Sequence, residues 1–288
     1  DGKSYRITID GDCHTFSYRK DYFGDGAIGG AEVPSTWQQV NAVSKALVGQ
    51  TDPLTGGPAY GYLDPLKGWG GFGFYFIANR ATAYVKHPDD PAWLFDPDTM
   101  KPRVNNPGWV QAIQDVMDLI ATSGAYPADQ INADPGTTAF SQFLAGTGSM
   151  LMWWGDVGSN ARTSDTSVVG DVVGFGINPG SERRYNSAAG AWEETANEAP
   201  LMAYIGWGVY VTSRVSGDEM KRKAAYNDGW ASRARSAEHR LERDPLLAQL
   251  GDHRRRRRMR AQEGDERRDR SGGAERLDRH AGGVVADP

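Results

Sequence analysis

The residues best equipped for chemistry in this 288-residue chain are aromatic rings and carboxylates placed beside glycine. Ser149-Met150-Leu151-Met152-Trp153-Trp154-Gly155-Asp156 passes from an apolar run into two adjacent indoles, a glycine and an acid. Asp12 follows a bend at Gly11, and Trp69-Gly70-Gly71-Phe72 and Gly206-Trp207-Gly208 repeat the pairing of ring with glycine. Glycine beside tryptophan clears one face of the indole. The apolar C–H face of a sugar rests on such a ring, while carboxylates and amides take its hydroxyls. Selectivity follows, because an unmatched buried polar group costs about 1–3 kcal/mol. Taken singly, each stretch also reads as core packing beside a turn; four stretches of one chemistry favour a binding site. Asp12 and Asp156 are also the candidate acid/base pair of a glycoside hydrolase, and sequence spacing does not set their separation.

Other chemistries lack their residues. His14 and His87 stand far from any cysteine or paired carboxylates, so metal-ligand spacing is absent and each reads as structural or solvent-exposed. There is no Gly-x-Ser-x-Gly elbow and no P-loop, and Gly71-Phe72-Gly73 lacks the strand-to-helix setting of a dinucleotide fingerprint. No cofactor is implied. The lone Cys13 excludes an internal disulfide. No apolar run approaches the roughly 20 residues of a membrane span. The opening Asp1-Gly2-Lys3 carries no signal-peptide pattern.

The elements that must position these residues alternate between strand and helix. Tyr5–Asp10 and Cys13–Tyr18 are β-rich extended runs broken at Gly11-Asp12. Ser35 or Thr36 caps a helix over Trp37–Val48 that stops at Gly49. Phe74–Tyr84 reads as a buried helix, and Leu94–Thr99 as a small exposed hairpin. The best helix is Pro107–Thr122, with proline in its first turn and Val110, Ile113, Val116, Met117 and Ile120 as its expected inner face. Thr137–Leu144 leads into Ser149–Asp156, a strand buried on both faces. Ligands in open α/β sheets gather beyond the carboxyl ends of such strands. Val172–Ile177 and Tyr204–Val211 are further strands, with a loop carrying Trp192 between them. Ser216–Glu219 reads as a capping box for a helix from about Gly217.

Composition breaks sharply near the end. Residues 231–288 contain no Phe, Trp, Tyr, Ile or Lys, yet hold 15 of the 32 basic residues, all arginine, and 11 of the 37 acids. Such a segment lacks the apolar mass to offset the ordering cost of a core. The preceding part is acidic, so the net charge of −5 describes neither region. The loss of aromatics, Ile and Lys where a helix was under way is what GC-rich DNA gives in a shifted frame, and the sequence predicts a frameshift after about residue 226. A basic tail contacting nucleic-acid phosphates is the alternative; interleaved acids and the lack of stacking rings argue against it.

The ordered set Asp1-Gly2-Lys3-Ser4-Tyr5, Asp10-Gly11-Asp12-Cys13-His14, Tyr18-Arg19-Lys20-Asp21, Pro34-Ser35-Thr36-Trp37, Phe95–Met100, Asn105-Asn106-Pro107, Phe140–Asp156 and Gly206-Trp207-Gly208 resembles bacterial extracellular solute-binding proteins of family 1. These are the sugar-type receptors of ABC importers, relatives of maltose-binding protein. The resemblance implies an α/β, two-lobe periplasmic-binding-protein type II fold that is incomplete, with the second lobe mostly present and the first partial. It divides the chain into a crossover strand (1–12), the second lobe (13–149), a return crossover with partial first lobe (150–230), and the Arg-rich tail (231–288). The ligand-contacting set it implies is Asp12, His14, Trp69, Gly70, Phe72, Trp154, Asp156 and Trp207. Of the two indoles, strand alternation sends Trp153 to the core and Trp154 to the cleft. The implied function is capture of a sugar or oligosaccharide for a membrane permease, by a periplasmic or extracellular monomer without catalysis or nucleic-acid binding. The departures are Thr8 in place of a frequent proline, no counterpart to the first lobe's opening units, and the tail in place of C-terminal helices.

Overall fold

In chain order the elements are β1 (Ile7–Thr8), β2 (His14–Arg19), α1 (Trp37–Ala46), α2 (Gly73–Val85), α3 (Pro107–Ala121) and α4 (Thr138–Leu144). They continue with β3 (Met150–Trp154), α5 (Val157–Thr163), β4 (Val173–Gly176), β5 (Arg184–Asn186), β6 (Ala191–Glu193) and β7 (Gly208–Val209), and residues 219–229 are helical. This computed structural model describes residues 6–8, 11, 13–68, 73–90, 92, 94–133, 138–200, 206–215 and 217–229. The chain forms two units, Gly11–Gly206 and Asp1–Asp10 with Trp207–Pro288. Expected strand and helix ends at 9–10, 137, 204–205 and Ser216 lie outside the described residues, as does the whole Arg-rich tail.

The larger unit is built on a three-stranded antiparallel sheet ordered β3-β2-β4. β3 is apolar throughout because both its faces are covered. Met150, Leu151, Met152 and Trp153 are all buried, packed with Phe16 of β2, Phe76 of α2 and Phe143 of α4. Beyond β3 a parallel bridge joins Tyr62 to Met150. The chain reaches that position through Gly61, where a Cβ would lie 2.4 Å from the Ser44 backbone, so only glycine fits. The lobe boundary expected at 149/150 falls immediately before β3, which pairs residue for residue with β2, and the contacts divide the chain at 10/11 and 206/207.

Local signals explain the helices. The Thr36 hydroxyl caps α1 by accepting from the Gln39 N–H at 3.2 Å, and Gly49 follows the end at φ +80°. Asn106 caps α3 through the N–H groups of Gly108 and Trp109, with Pro107 at the first helical position. The inner face of α3 is only partly the one expected, with Val116 buried and Ile120 packed against the core as expected. Trp109, Ala112, Val116 and Leu119 pack inward, while Val110, Ile113 and Met117 are exposed. Apolar residues cover more than half of this helix, so its periodicity admits two faces, and the bulk of Trp109 against Tyr84 and Val85 selects one. α2 is enclosed between the sheet core and α3, and it is buried along nearly all its length.

The hairpin β5–β6 and the short α5 are additional to the elements expected, and Trp192 lies on β6 instead of in a loop. The expected exposed hairpin is present as a bridge between Phe95 and Pro102, its turn held by Asp96. In the smaller unit β1 pairs antiparallel with β7. The cap of helical residues 219–229 is Asp218, whose carboxylate accepts from the Lys221 N–H at 3.0 Å.

Candidate ligand-binding site

The antiparallel register of β2 and β3 sets His14 directly opposite Trp154. Residues far apart in sequence thus share one end of the sheet. Phe76 of α2 stacks on the His14 ring at 5.1 Å, and Trp154 meets it edge to face at 4.9 Å. Tyr75 approaches edge-on at 6.2 Å. Trp153 is buried and stacked on Phe140 at 4.8 Å, while Trp154 is half-buried at the strand's end. The two indoles meet edge to face at 4.9 Å. An aromatic corner results, rigid on its core side and partly open beside Trp154.

His14 is only 2% exposed, and its polar groups are tied to two asparagines. Asn79 Nδ2 lies 2.8 Å from His14 Nδ1, and Asn178 Nδ2 lies 3.1 Å from Asn79 Oδ1. Nε2 of His14 is buried and finds no partner among the described residues. Burial lowers the His14 pKa to about 4, so the ring is neutral at physiological pH. An unpaired buried donor of this kind costs about 1–3 kcal/mol, and native folds keep few of them.

Asp156 is exposed at the start of α5. Its Oδ2 accepts from Asn160 Nδ2 at 3.1 Å, and its carbonyl accepts from the Ser159 hydroxyl at 2.9 Å. Trp207 belongs to the smaller unit and is 54% exposed, after Gly206 at φ +81°. Asp12, Trp69, Gly70 and Phe72 lie outside the described residues. The structure thus brings His14 and Trp154 into contact, with Asp156 two residues beyond. His87 is nearly buried, with Nε2 3.2 Å from a Glu193 carboxylate oxygen. No group of His, Cys, Asp and Glu able to hold a metal occurs among the described residues.

No family model matches the sequence, and no curated protein matches it either. Solved structures do. An ABC transporter solute-binding protein from Agrobacterium radiobacter K84, in complex with ribitol, superposes with a TM-score of 0.55 at 21% identity, covering 82% of this chain and 51% of that one. The fold is that of ABC-transporter solute-binding proteins. A structure from work on xylan utilization by the thermophilic bacterium Caldanaerobius polysaccharolyticus gives 0.54 at 14% identity, over 82% of this chain and 53% of that one. Maltose-bound MalE3 of T. maritima gives 0.50 at 17%, over 84% and 52%. The chain spans about half the length of these solute-binding proteins.

Around His14 and Trp154, both singled out in the sequence, the structure gathers Asn79, Asn178, Tyr75 and Phe76, which the sequence did not single out. A signal for Asn79 was present. It is a polar residue, beside Arg80, in a largely apolar helix, and such a residue needs a buried partner. Asn178 opens the turn sequence Asn178-Pro179-Gly180, where nothing local marks a buried partner.

Proposed function

We propose that this chain is the ligand-capturing part of an ABC importer receptor for a sugar, oligosaccharide or polyol. The observation that carries the reading is the aromatic corner of His14, Phe76, Trp154 and Tyr75 on a solute-binding-protein fold. Trp154 offers a flat apolar face, and the acid of Asp156 and the imidazole of His14 offer an acceptor and a donor for hydroxyls. The proposed ligand-contacting set is Asp12, His14, Trp69, Gly70, Phe72, Trp154, Asp156 and Trp207. Solved structures of the same fold were determined with ribitol and with maltose, which supports this ligand class. The protein acts as a periplasmic or extracellular monomer, delivers its ligand to a permease, and neither cleaves it nor binds nucleic acid.

Calorimetric titration with a panel of monosaccharides, oligosaccharides and polyols tests the proposal. Saturable binding of at least one, with the ligand recovered intact, is the expected result. Turnover of a glycoside that disappears in Asp156→Asn would replace the receptor with a hydrolase.

A further inference from the structure

The polarity of the Asn178–Asn79–His14 chain is fixed at one end by a group that can only accept. Asn178 Nδ2 lies 3.4 Å from the backbone carbonyl oxygen of His14, and turning this amide over would set carbonyl against carbonyl. With Nδ2 of Asn178 so placed, the atom of Asn79 facing it at 3.1 Å must be the acceptor Oδ1. The other end of the Asn79 amide is then Nδ2, a donor, 2.8 Å from His14 Nδ1. Nδ1 must therefore accept, and the single proton of the neutral ring sits on Nε2. That nitrogen is the one buried without a partner among the described residues.

We infer that Asn178 and Asn79 are positioning residues that lock His14 in its Nε2–H form and so hold a buried donor ready for a hydroxyl or ring oxygen of the bound ligand. The ligand half of this statement rests on the proposed sugar or polyol reading; the lock does not. The aromatic neighbours add to the arrangement. Phe76, Trp154 and Tyr75 meet the imidazole ring with their own rings, so the unused donor faces an environment in which few protein groups compete for it. Trp154 and Tyr75 are the partly exposed rings of the corner.

Long-range proton–nitrogen spectra of the intact chain, labelled with nitrogen-15 at histidine, test the lock directly. The chain holds five histidines, and His14 is identified by the signal lost in His14→Gln. At neutral pH without ligand, Nε2 is expected to be the protonated nitrogen and Nδ1 the bare one; protonated Nδ1 would overturn the inference. Asn79→Asp replaces the donor with an acceptor and is expected to move the proton to Nδ1, so an unchanged spectrum also counts against it. Asn178→Ala, which removes the orienting group without adding charge, is expected to give a mixture of both forms, and retention of pure Nε2–H would show that Asn178 does not orient the relay. The sugar and polyol panel tests the second half, with binding followed independently by tryptophan fluorescence. The Nε2 signal is expected to shift with the same saturation as the fluorescence, and binding that leaves it unmoved removes the donor role. Absence of binding across the panel would remove the proposed function and the donor role together, while the lock is judged on the unliganded spectra alone.

Discussion

β2 carries a buried polar side chain at each end, and the protein treats the two in opposite ways. At the carboxyl end Arg19 is fully buried, and all five of its N–H donors are used. Its Nη1 donates to Asp52 at 2.5 Å and to the Gly146 carbonyl at 2.6 Å, Nη2 to Asp52 and Asp21, and Nε to Asp21. Asp52 is saturated in return, accepting also from the Tyr22 hydroxyl and from the N–H groups of Leu54 and Thr55. At the amino end His14 spends one ring nitrogen and keeps the other unpaired. A buried charge that only supports the fold is bonded to completion, because anything less is costly. His14 is a neutral group left one bond short, and its place at the aromatic corner is what makes the spare nitrogen a candidate for an external partner.

Removing Asp52 attacks the saturated end and carries the largest expected effect. Asp52→Ala removes one of the two carboxylates paired with the buried Arg19, together with the acceptor of the Tyr22 hydroxyl, and should lower stability by about 3–5 kcal/mol in chemical denaturation. A loss under about 1 kcal/mol would mean the two ends do not differ in kind.

Acid separates the two ends by their pH windows. Burial alone would raise the Asp52 pKa, but hydrogen bonds from Arg19, Thr55, Tyr22 and Leu54 outweigh it and hold the carboxyl at about 2. Its contribution is therefore complete above the ordinary carboxylate value and is lost as pH falls towards 2. His14 works at higher pH. Above 6.5 its ring is neutral whether folded or unfolded, so it adds no pH dependence there. Between 6.5 and about 4 the unfolded chain takes up a proton that the folded chain refuses, so stability falls by about 3 kcal/mol and the loss is complete below 4. Melting curves between pH 7 and 4 should flatten in His14→Gln, and an unchanged slope would show that His14 is not the titrating group.

Trp154→Ala sharpens the comparison from the ligand's side. The ring is only half-buried, so its loss should cost at most about 2 kcal/mol in stability, against about 3–5 for the buried Trp153. Sugar affinity measured by calorimetry should nonetheless fall tenfold or more in the Trp154 variant. Equal affinities would place the ligand elsewhere.

The smallest effect concerns α3. Met117→Gln, on its exposed face, should change the denaturation midpoint by no more than about 0.5 kcal/mol equivalent. Leu119→Ala, on the buried face, should cost about 2–5 kcal/mol. A reversed order would restore the face that periodicity alone suggested.

Much of the fold was legible in sequence because its signals are local. Thr36 before α1, Asn106-Pro107 before α3, and the uninterrupted apolar run of β3 each announce an element without reference to the rest of the chain. The face of α3 was not legible, since Val110, Ile113 and Met117 are as apolar as the residues that pack. The partner of β3 was not legible for a related reason. Met150–Trp154 looks like a strand in any setting, and only its pairing with β2 says to which unit it belongs. At the site, residue types were enough to single out Trp154 and Asp156. The polar relay was out of reach, because Asn79 lies 65 residues from His14 and Asn178 a further 99 residues beyond Asn79 in sequence.

The pairing of β2 with β3 also has a kinetic consequence. The Thr15 hydroxyl and the Trp153 carbonyl it meets are 138 residues apart, and the Arg19 contact to Gly146 spans 127. A ribosome adding about 5–20 residues each second leaves β2 without its central neighbour for roughly ten seconds after it emerges. Closing such long loops before any reward slows folding. During that wait Arg19 can meet Asp21 and Asp52 but not the Gly146 carbonyl, so the charge is neutralised early and bonded to completion late. The sheet therefore cannot close until β3 and β4 have been made, and the aromatic corner around His14 has to wait for Trp154.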